Sequence, residues 1–287
     1  MVAGAELFFD GILAVAQRLG VSAFVLTVVV SGFELENLVA GIAANAKGLP
    51  DAAAGTFLGG ATFLALAVAG LAAMIAPYRA QLPGRVYVWT ALAPLPLLGL
   101  AVDGTISRLD GGLLTAWSIV ALVALVRAAG VRRELEAGRR RFALARLLGG
   151  LGLLTAGGEL LGEGIRRVVE GYGVSEALLG NTAVAASVEA EEVARVVAPG
   201  RRGHGDIALG NVLGTIVHFV AFNAGVLALV RPLELGDETL HVHLPAAVAA
   251  TALVALLAAV RPVLGRPEGI ALLACYSAYL TAAVWLA

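Results

Sequence analysis

The chain has 287 residues, 59% of them hydrophobic and 14% charged, with a formal net charge of -1 and a mean hydropathy of +0.89. These values lie outside the range of soluble globular domains and exclude nucleic-acid binding by bulk charge. A helix crossing about 30 Å of hydrocarbon takes about 20 residues, so this length holds on the order of ten spans, with loops too short for a soluble catalytic or nucleotide-binding domain.

Apolar runs follow one another at 3–18, 22–46, 52–76, 86–102, 111–127, 143–165, 175–198, 205–230, 242–260 and 268–286, each closed by charges, Pro or Gly. Ala, Leu, Val and Gly dominate them, without the short alternating segments of a β-barrel. An all-α polytopic membrane protein with about ten transmembrane helices is expected. The first run is short and carries Glu6 and Asp10 with no basic segment ahead of it, so it reads as a first helix or an incomplete span, and not as a signal peptide. Cys275, the single cysteine, forms no internal disulfide and lies where any small hydrophobe serves equally well.

With an external N-terminus the Lys and Arg residues divide fifteen inside against five outside, Arg195 being counted with the inside group. Both termini are therefore expected outside, in the plasma membrane of a prokaryote. The segment 127–141 is the longest polar connection and reads as a basic cytoplasmic linker between halves 1–126 and 142–287.

The halves repeat one another. At an offset of 155 residues, 32-GFELENLVAGIAANAKGLPDAAAGTFLGG pairs without a gap with 187-SVEAEEVARVVAPGRRGHGDIALGNVLGT. The shared pattern is E-x-E-[NE]-[LV], then an Asp, then G-x-x-x-G, within segments 32–64 and 187–219. Upstream, AELFFDGILAVAQRLGVS pairs with GELLGEGIRRVVEGYGVS at an offset of 153. Five spans per half is an odd number, so the two five-helix repeats enter the membrane with opposite orientation. Many secondary transporters are built this way and bind substrate near the midplane, where the repeats meet.

At these residues the sequence resembles the cation/Ca2+ antiporter superfamily, which contains the sodium/calcium exchangers. That family carries in each half an α-repeat of approximate form G-T-S-x-P-E-L followed by G-x-x-D-x-x-x-G-N-x-x-G-S-N. The tail is close to literal in 203-GHGDIALGNVLGT and recognisable in 48-GLPDAAAGTFLGG. The resemblance spans essentially the whole chain. It implies a secondary active antiporter that exchanges a divalent cation, Ca2+ first, for protons or sodium by alternating access. The core of the motif departs from the family. The signature Glu is Asn37 in the first repeat and Glu192 in the second, the preceding Ser is Glu34 and Glu189, and the Pro is Glu36 and Glu191. The Ser after the second glycine becomes Gly60 and Thr215, and the closing Asn or Asp becomes Leu64 and Phe219. Hydroxyl and amide ligands give way to carboxylates.

Residues three apart share a helix face, which pairs Glu34 with Asn37 and Glu189 with Glu192. Glu36 and Glu191 are rotated by roughly 200° from the first of each pair and point elsewhere unless the helix is broken. Under two-fold inversion the paired faces meet, giving three carboxylates and one amide oxygen around a point, a hard setting of the kind Ca2+ accepts. The expected ion site is therefore Glu34, Asn37, Glu189, Glu192 and Thr215, helped by carbonyls freed at glycine-rich turns, with Glu36, Glu191, Gly60, Asn211 and His218 as further site or coupling residues. A carboxylate at mid-membrane costs about 2.5–3.5 kcal/mol, offset by a bound cation, by pairing with Arg or by protonation.

Several residues have blander readings. Glu191 precedes Arg195 by four and can form an intrahelical ion pair. Asp51 and Asp206 read as caps at loop-to-helix starts more readily than as ion ligands. Asn211 lines the cavity or packs between helices, and His218 is a ligand or a hydrogen-bonded core residue. Glycines 55, 59, 60, 210 and 214 allow close helix approach. His204, His241 and His243 read as loop residues, with 241–243 a weak surface metal site. Glu6, Asp10, Glu159 and Glu163 line an access path or sit as polar caps. No resident cofactor is expected; the partners are the cation, H+ or Na+ as counter-ion, and the bilayer. The rival readings are a monovalent sodium/proton exchanger, an exporter of Mn2+ or Mg2+, a channel, and an intramembrane enzyme, for which no H-E-x-x-H, G-x-S-x-G or paired-Asp signature is present.

Overall fold

A computed structural model describes residues 2–31, 34–130, 142–170 and 185–286, and each of the ten apolar runs contains helix. The first half comprises α1 (Val2–Leu19), α2 (Ala23–Ser31), α3 (Leu35–Ala46), α4 (Pro50–Ile75), α5 (Gly84–Leu92), α6 (Leu95–Leu100) and α7 (Arg108–Ala129). The second comprises α8 (Ala143–Glu170), α9 (Ala185–Arg201), α10 (Gly205–Val230), α11 (Thr239–Val260) and α12 (Arg266–Leu286). Among the described residues, α4, α7, α10, α11 and α12 are long and apolar enough to cross a membrane unbroken. Other runs are interrupted. The chain bends by 115° between α1 and α2, breaks around Glu34 between α2 and α3, and breaks again at Pro94 between α5 and α6, where the ring removes a backbone donor. The linker lies outside the described residues from position 131 to 141.

Helix starts follow local chemistry. Pro50 opens α4 in the first turn, where its missing N–H costs nothing. Ser107 and Asp110 cap α7 reciprocally: Asp110 N donates to Ser107 Oγ at 3.2 Å, and Ser107 N to Asp110 Oδ2 at 2.9 Å.

The two halves repeat in three dimensions. Gly48 (φ +79°) and Gly203 (φ +78°), equivalent at the 155-residue offset, turn α3 into α4 and α9 into α10 through the left-handed region that glycine enters without strain. Both α4 and α10 carry a π-helical segment, Leu64–Val68 and His218–Asn223, again at equivalent places. These two helices form the buried centre, whereas α12 is largely exposed to the surroundings and carries Cys275 on its outside.

Contact between the halves is close. A Cβ on Gly150 of α8 would lie 2.2 Å from Phe8 N of α1, and one on Gly11 would lie 2.4 Å from Leu147 N, so backbones touch where α1 crosses α8. A Cβ on Gly214 would lie 2.8 Å from Val28 Cα, on Gly210 2.8 Å from the Phe24 ring, and on Gly60 2.8 Å from the Phe219 ring. Close approach is thus the role of these three glycines; Gly55 and Gly59 have no such neighbour among the described residues. Two short strands, β1 (Thr105–Ile106) and β2 (Leu233–Glu234), pair antiparallel across the halves, and Tyr78 bridges Leu264 in the equivalent manner.

The aspartates of the repeat differ from the capping expectation. Leu49 and His204 occupy the N-cap positions, without side-chain caps. Asp51 Oδ1 instead accepts from Gly236 N at 2.8 Å and Thr239 Oγ1 at 2.7 Å, while Asp206 Oδ1 accepts from Gln81 N at 2.6 Å. Positions 81 and 236 are themselves repeat-equivalent, so each half clasps the loop of the other. His241 and His243 also depart from the loop expectation, because α11 begins at Thr239 and takes both into its first, π-helical turn.

Candidate functional site

The acidic centre forms where α9 packs on α8 and α10 and faces the start of α3. Its helices place the side chains by simple register. Glu34 stands at the N-cap of α3 with non-helical backbone (φ -81°, ψ +83°), and Asn37, one turn on, donates Nδ2 to Glu34 Oε2 at 2.6 Å. The expected Glu34 and Asn37 pair therefore shares a face, but the two bond to each other. Glu36 is exposed.

On α9, Glu191 and Glu192 are both buried, Glu192 to 3% exposure, and both bind the guanidinium of Arg195, itself buried. Arg195 Nη2 donates to Glu191 Oε1 and Nη1 to Glu192 Oε1. The remaining oxygens are also engaged: Asn211 Nδ2 of α10 donates to Glu192 Oε2 at 2.7 Å, and Thr155 Oγ1 of α8 reaches Glu191 Oε2 at 3.4 Å. The Phe8 ring of α1 lies under the guanidinium, 5.5 Å from Cζ to centroid. Glu34 adds to the negative field at Arg195, and Glu36 to that at Glu191.

Two expectations change. Glu191 does not point away from Glu192, because residues three and four before Arg195 lie within reach of one two-pronged side chain. Arg195 is not a topology charge at a span end; it is a buried counter-charge. Among the described residues no group of three His, Cys, Asp or Glu side chains gathers for a metal, and the expected shell of three carboxylates and an amide includes Glu189, whose side chain lies outside them. Glu189 belongs to α9, but its side chain lies outside the described residues, as does that of Glu159.

Thr215 is fully buried one turn beyond Asn211. His218 is buried with Nδ1 2.9 Å from Gly214 O, the hydrogen-bonded packing arrangement. Gly60 makes room for Phe219, the residue at the closing position of the motif. Asn211 Oδ1 is buried and has no hydrogen-bond partner among the described residues, a carbonyl oxygen held beside Glu192. Glu6 and Asp10 bind Arg202, at 3.2 and 2.6 Å, with its Cζ 4.7 Å from the Phe9 ring centroid, so this pair joins α1 to the end of α9 at an exposed edge. The ion pair of Glu191 with Arg195 agrees with the spacing of four read from the sequence, whereas the second prong, to Glu192, was missed although Glu192 precedes Arg195 by three.

Two buried carboxylates, a guanidinium that offsets their charge and an amide oxygen without a donor among the described residues form a buried, charge-balanced polar cluster.

Comparison with known proteins agrees with this architecture. The sequence profile described as "Sodium/calcium exchanger protein" matches residues 1–127 and 142–285. The inner membrane protein YrbG of Escherichia coli (strain K12) is 28% identical over 286 residues, covering 91% of this chain and 86% of that one. The sodium/calcium exchanger MaX1 of Methanosarcina acetivorans is 29% identical over 108 residues, 38% of this chain and 31% of its own. Among solved structures, the sodium-calcium exchanger NCX_Mj soaked with Na+ and Sr2+ superposes with a TM-score of 0.82 at 25% identity, covering 97% of this chain and 93% of that one.

Proposed function

The chain belongs to the sodium/calcium exchanger family, and from that premise we propose that the acidic centre on α9 and α3 binds the cation it carries. It is an integral, multi-pass cation antiporter of the Ca2+ exchanger type, built from two inverted five-helix repeats. The ion ligands in this reading are Glu34, Asn37, Glu189, Glu192 and Thr215, with Asn211 supplying Oδ1. Ca2+ is the divalent cation, and protons or sodium are the counter-ion. The carrier needs no resident cofactor and performs no covalent chemistry. The linker at 127–141 separates the repeats, and both termini lie outside a prokaryotic plasma membrane.

The observation that supports this most directly is the buried carboxylate of Glu192 beside the unpartnered Asn211 Oδ1. A carboxylate in mid-span is costly unless something positive offsets it, by about 2.5–3.5 kcal/mol even on the lenient insertion scale, and an adjoining free carbonyl oxygen gives an incoming cation a second ligand. Missing family hydroxyls and added carboxylates favour protons over sodium as the counter-ion, since carboxylates titrate and hydroxyls do not.

The test is calorimetric titration of purified protein with Ca2+, Mn2+, Mg2+ and Na+ across pH, with radiolabelled Ca2+ flux in proteoliposomes. Saturable Ca2+ binding that weakens as pH falls is expected, with flux lost in E192Q. No divalent binding at any pH, together with wild-type flux in E192Q, would overturn the assignment.

A further inference from the structure

Far from the acidic centre, two arginines border an apolar groove on the outer side of the first half. The groove, of about 600 Å3, runs between α5 and α7 and is lined by Arg85 and Trp89 of α5 and by Ile119, Val120, Val123 and Arg127 of α7, with two alanines of the same helix. Positions 119, 123 and 127 recur every four residues, so one stripe of α7 carries two apolar side chains and ends in a guanidinium. Arg85 and Trp89 are likewise four apart on α5. Ile119, Val120 and Val123 are 61%, 50% and 41% exposed, on a helix long and apolar enough to cross the membrane, so the groove opens to lipid.

The polar groups of this groove have no partners of their own. Arg195, Arg202 and Arg261 each find a carboxylate. Arg85 and Arg127 have neither an ion pair nor a hydrogen bond among the described residues, and no carboxylate lines the groove. The rings of Trp89 and Trp117 lie 6.2 Å apart; Trp117 donates Nε1 to Ala93 O at 3.0 Å, whereas the Trp89 indole N–H has no acceptor among the described residues. Topology accounts for arginines at one membrane face, but it calls for neither a groove between them nor a free indole donor beside it. The fold does not require the pair either, since α12, the fifth helix of the second half as α7 is of the first, ends without a basic residue. A water-borne anion would leave the apolar floor without an occupant, and an uncharged apolar molecule would leave the arginines without one. A molecule with a phosphate at one end and hydrocarbon at the other answers to both.

We propose that the groove between α5 and α7 binds one anionic phospholipid, its phosphate between Arg85 and Arg127, a glycerol ester at Trp89 and one acyl chain along Ile119, Val120 and Val123. Arginine suits the phosphate because its planar fork donates two hydrogen bonds to one anion, and basic pockets between membrane helices hold anionic headgroups in this way. An indole ring at headgroup level turns its N–H to the polar side and its body to the chains. From Arg127 to Ile119 the helix rises about 12 Å, enough to follow the upper part of one chain. The site stands apart from the acidic centre and holds whichever cation that centre carries.

The experiment is native mass spectrometry of the delipidated full chain, titrated in detergent with phosphatidylglycerol or with phosphatidylcholine of the same acyl chains. The first phosphatidylglycerol is expected to bind about ten-fold tighter than the first phosphatidylcholine, and R85Q/R127Q to lose about ten-fold in affinity for it. R18Q/R266Q makes the same charge change at two exposed arginines outside the groove and is expected to stay within about two-fold of wild type. V123W narrows the groove without altering charge, and a loss of about five-fold or more is expected. All five substituted side chains are exposed, so these variants leave the packing of the bundle as it is. Glycerol phosphate and inorganic phosphate, at the concentration of the lipid, are expected not to displace it. Equal affinity for the two lipids would overturn the proposal, as would unchanged binding in R85Q/R127Q or in V123W. An equal loss in R18Q/R266Q would mean diffuse attraction to a basic face, and displacement by either free phosphate a plain anion site; each of these also overturns it.

Discussion

Glu192 and Asn211 form the part of the centre where a single atom change has a clear consequence. Asn211 gives Glu192 a donor through Nδ2 and holds Oδ1 unpartnered beside it. Leucine at 211 removes both, and a hydrogen bond to a charged group is worth about 1.5–3 kcal/mol. N211L should therefore raise the half-saturating Ca2+ concentration about ten-fold or more in a flux assay, with the amount of folded protein unchanged. Arg195 makes a different prediction. Removing one partner of a buried charge cluster costs about 3–5 kcal/mol, because the other stays buried and unpaired. R195A should lower the apparent melting temperature in detergent markedly, and E191Q/R195Q should recover most of the loss. The acidic residues of this centre could be picked out from the sequence because charge is rare here and stands out against an apolar background. Of their bonding, the pair of Glu191 with Arg195 could be read from spacing, but the contact of the same guanidinium with Glu192 could not. Spacing placed Glu191 and Glu192 on different faces, but a long forked side chain spans two faces, and only packing decides whether it turns inward to them or outward to water.

At the scale of the helix, π-helical segments and glycine contacts set how closely the repeats can pack. Val28 backbone fills the space where Gly214 has no side chain, and Phe219 fills that of Gly60. Backbone cannot give way as a ring end can. G214A should therefore destabilise by about 1–3 kcal/mol, the usual cost of overpacking, whereas in G60A the Phe219 ring has more freedom to turn and a smaller loss is expected. Thermal unfolding of both variants in the same detergent separates them. The ten runs were legible because each is longer and more apolar than any loop, and among the described residues their ends fell within a few residues of the helices observed, the start of the run 175–198 lying outside those residues. The breaks were less so. The 115° bend between α1 and α2 and the interruption at Glu34 lie inside or beside continuous apolar sequence, and hydropathy carries no information about direction. The two-residue strands are shorter than any periodic signal.

For the molecule as a whole, the repeat is expressed most clearly in bonds that run between its halves. Asp51 holds Gly236 and Thr239, and Asp206 holds Gln81. The offset of 155 residues could be read from the motif, but the partners are backbone N–H groups far along the chain, which have no sequence signature; the aspartates looked like caps for that reason. Because the repeats are inverted, the two clasps face opposite sides of the membrane. D51A should speed hydrogen–deuterium exchange around residue 236 alone, and D206A around residue 81 alone, as read by mass spectrometry. Acceleration at both loops in either single variant would mean that the clasps are one coupled unit.

The same bonds set an order of events during synthesis. Asp51 meets Gly236 across 185 residues of chain, whereas Asp206 finds Gln81 already made. At about 5–20 residues per second, the first clasp has to wait on the order of ten to forty seconds after its aspartate leaves the ribosome, and the second closes almost at once. The N-terminal half therefore enters the membrane as an unfinished piece, with one loop anchor empty until residue 236 has been made. A nascent chain halted before residue 236 should remain open to protease at that side, and two half-chains made separately should protect one another only when both are present.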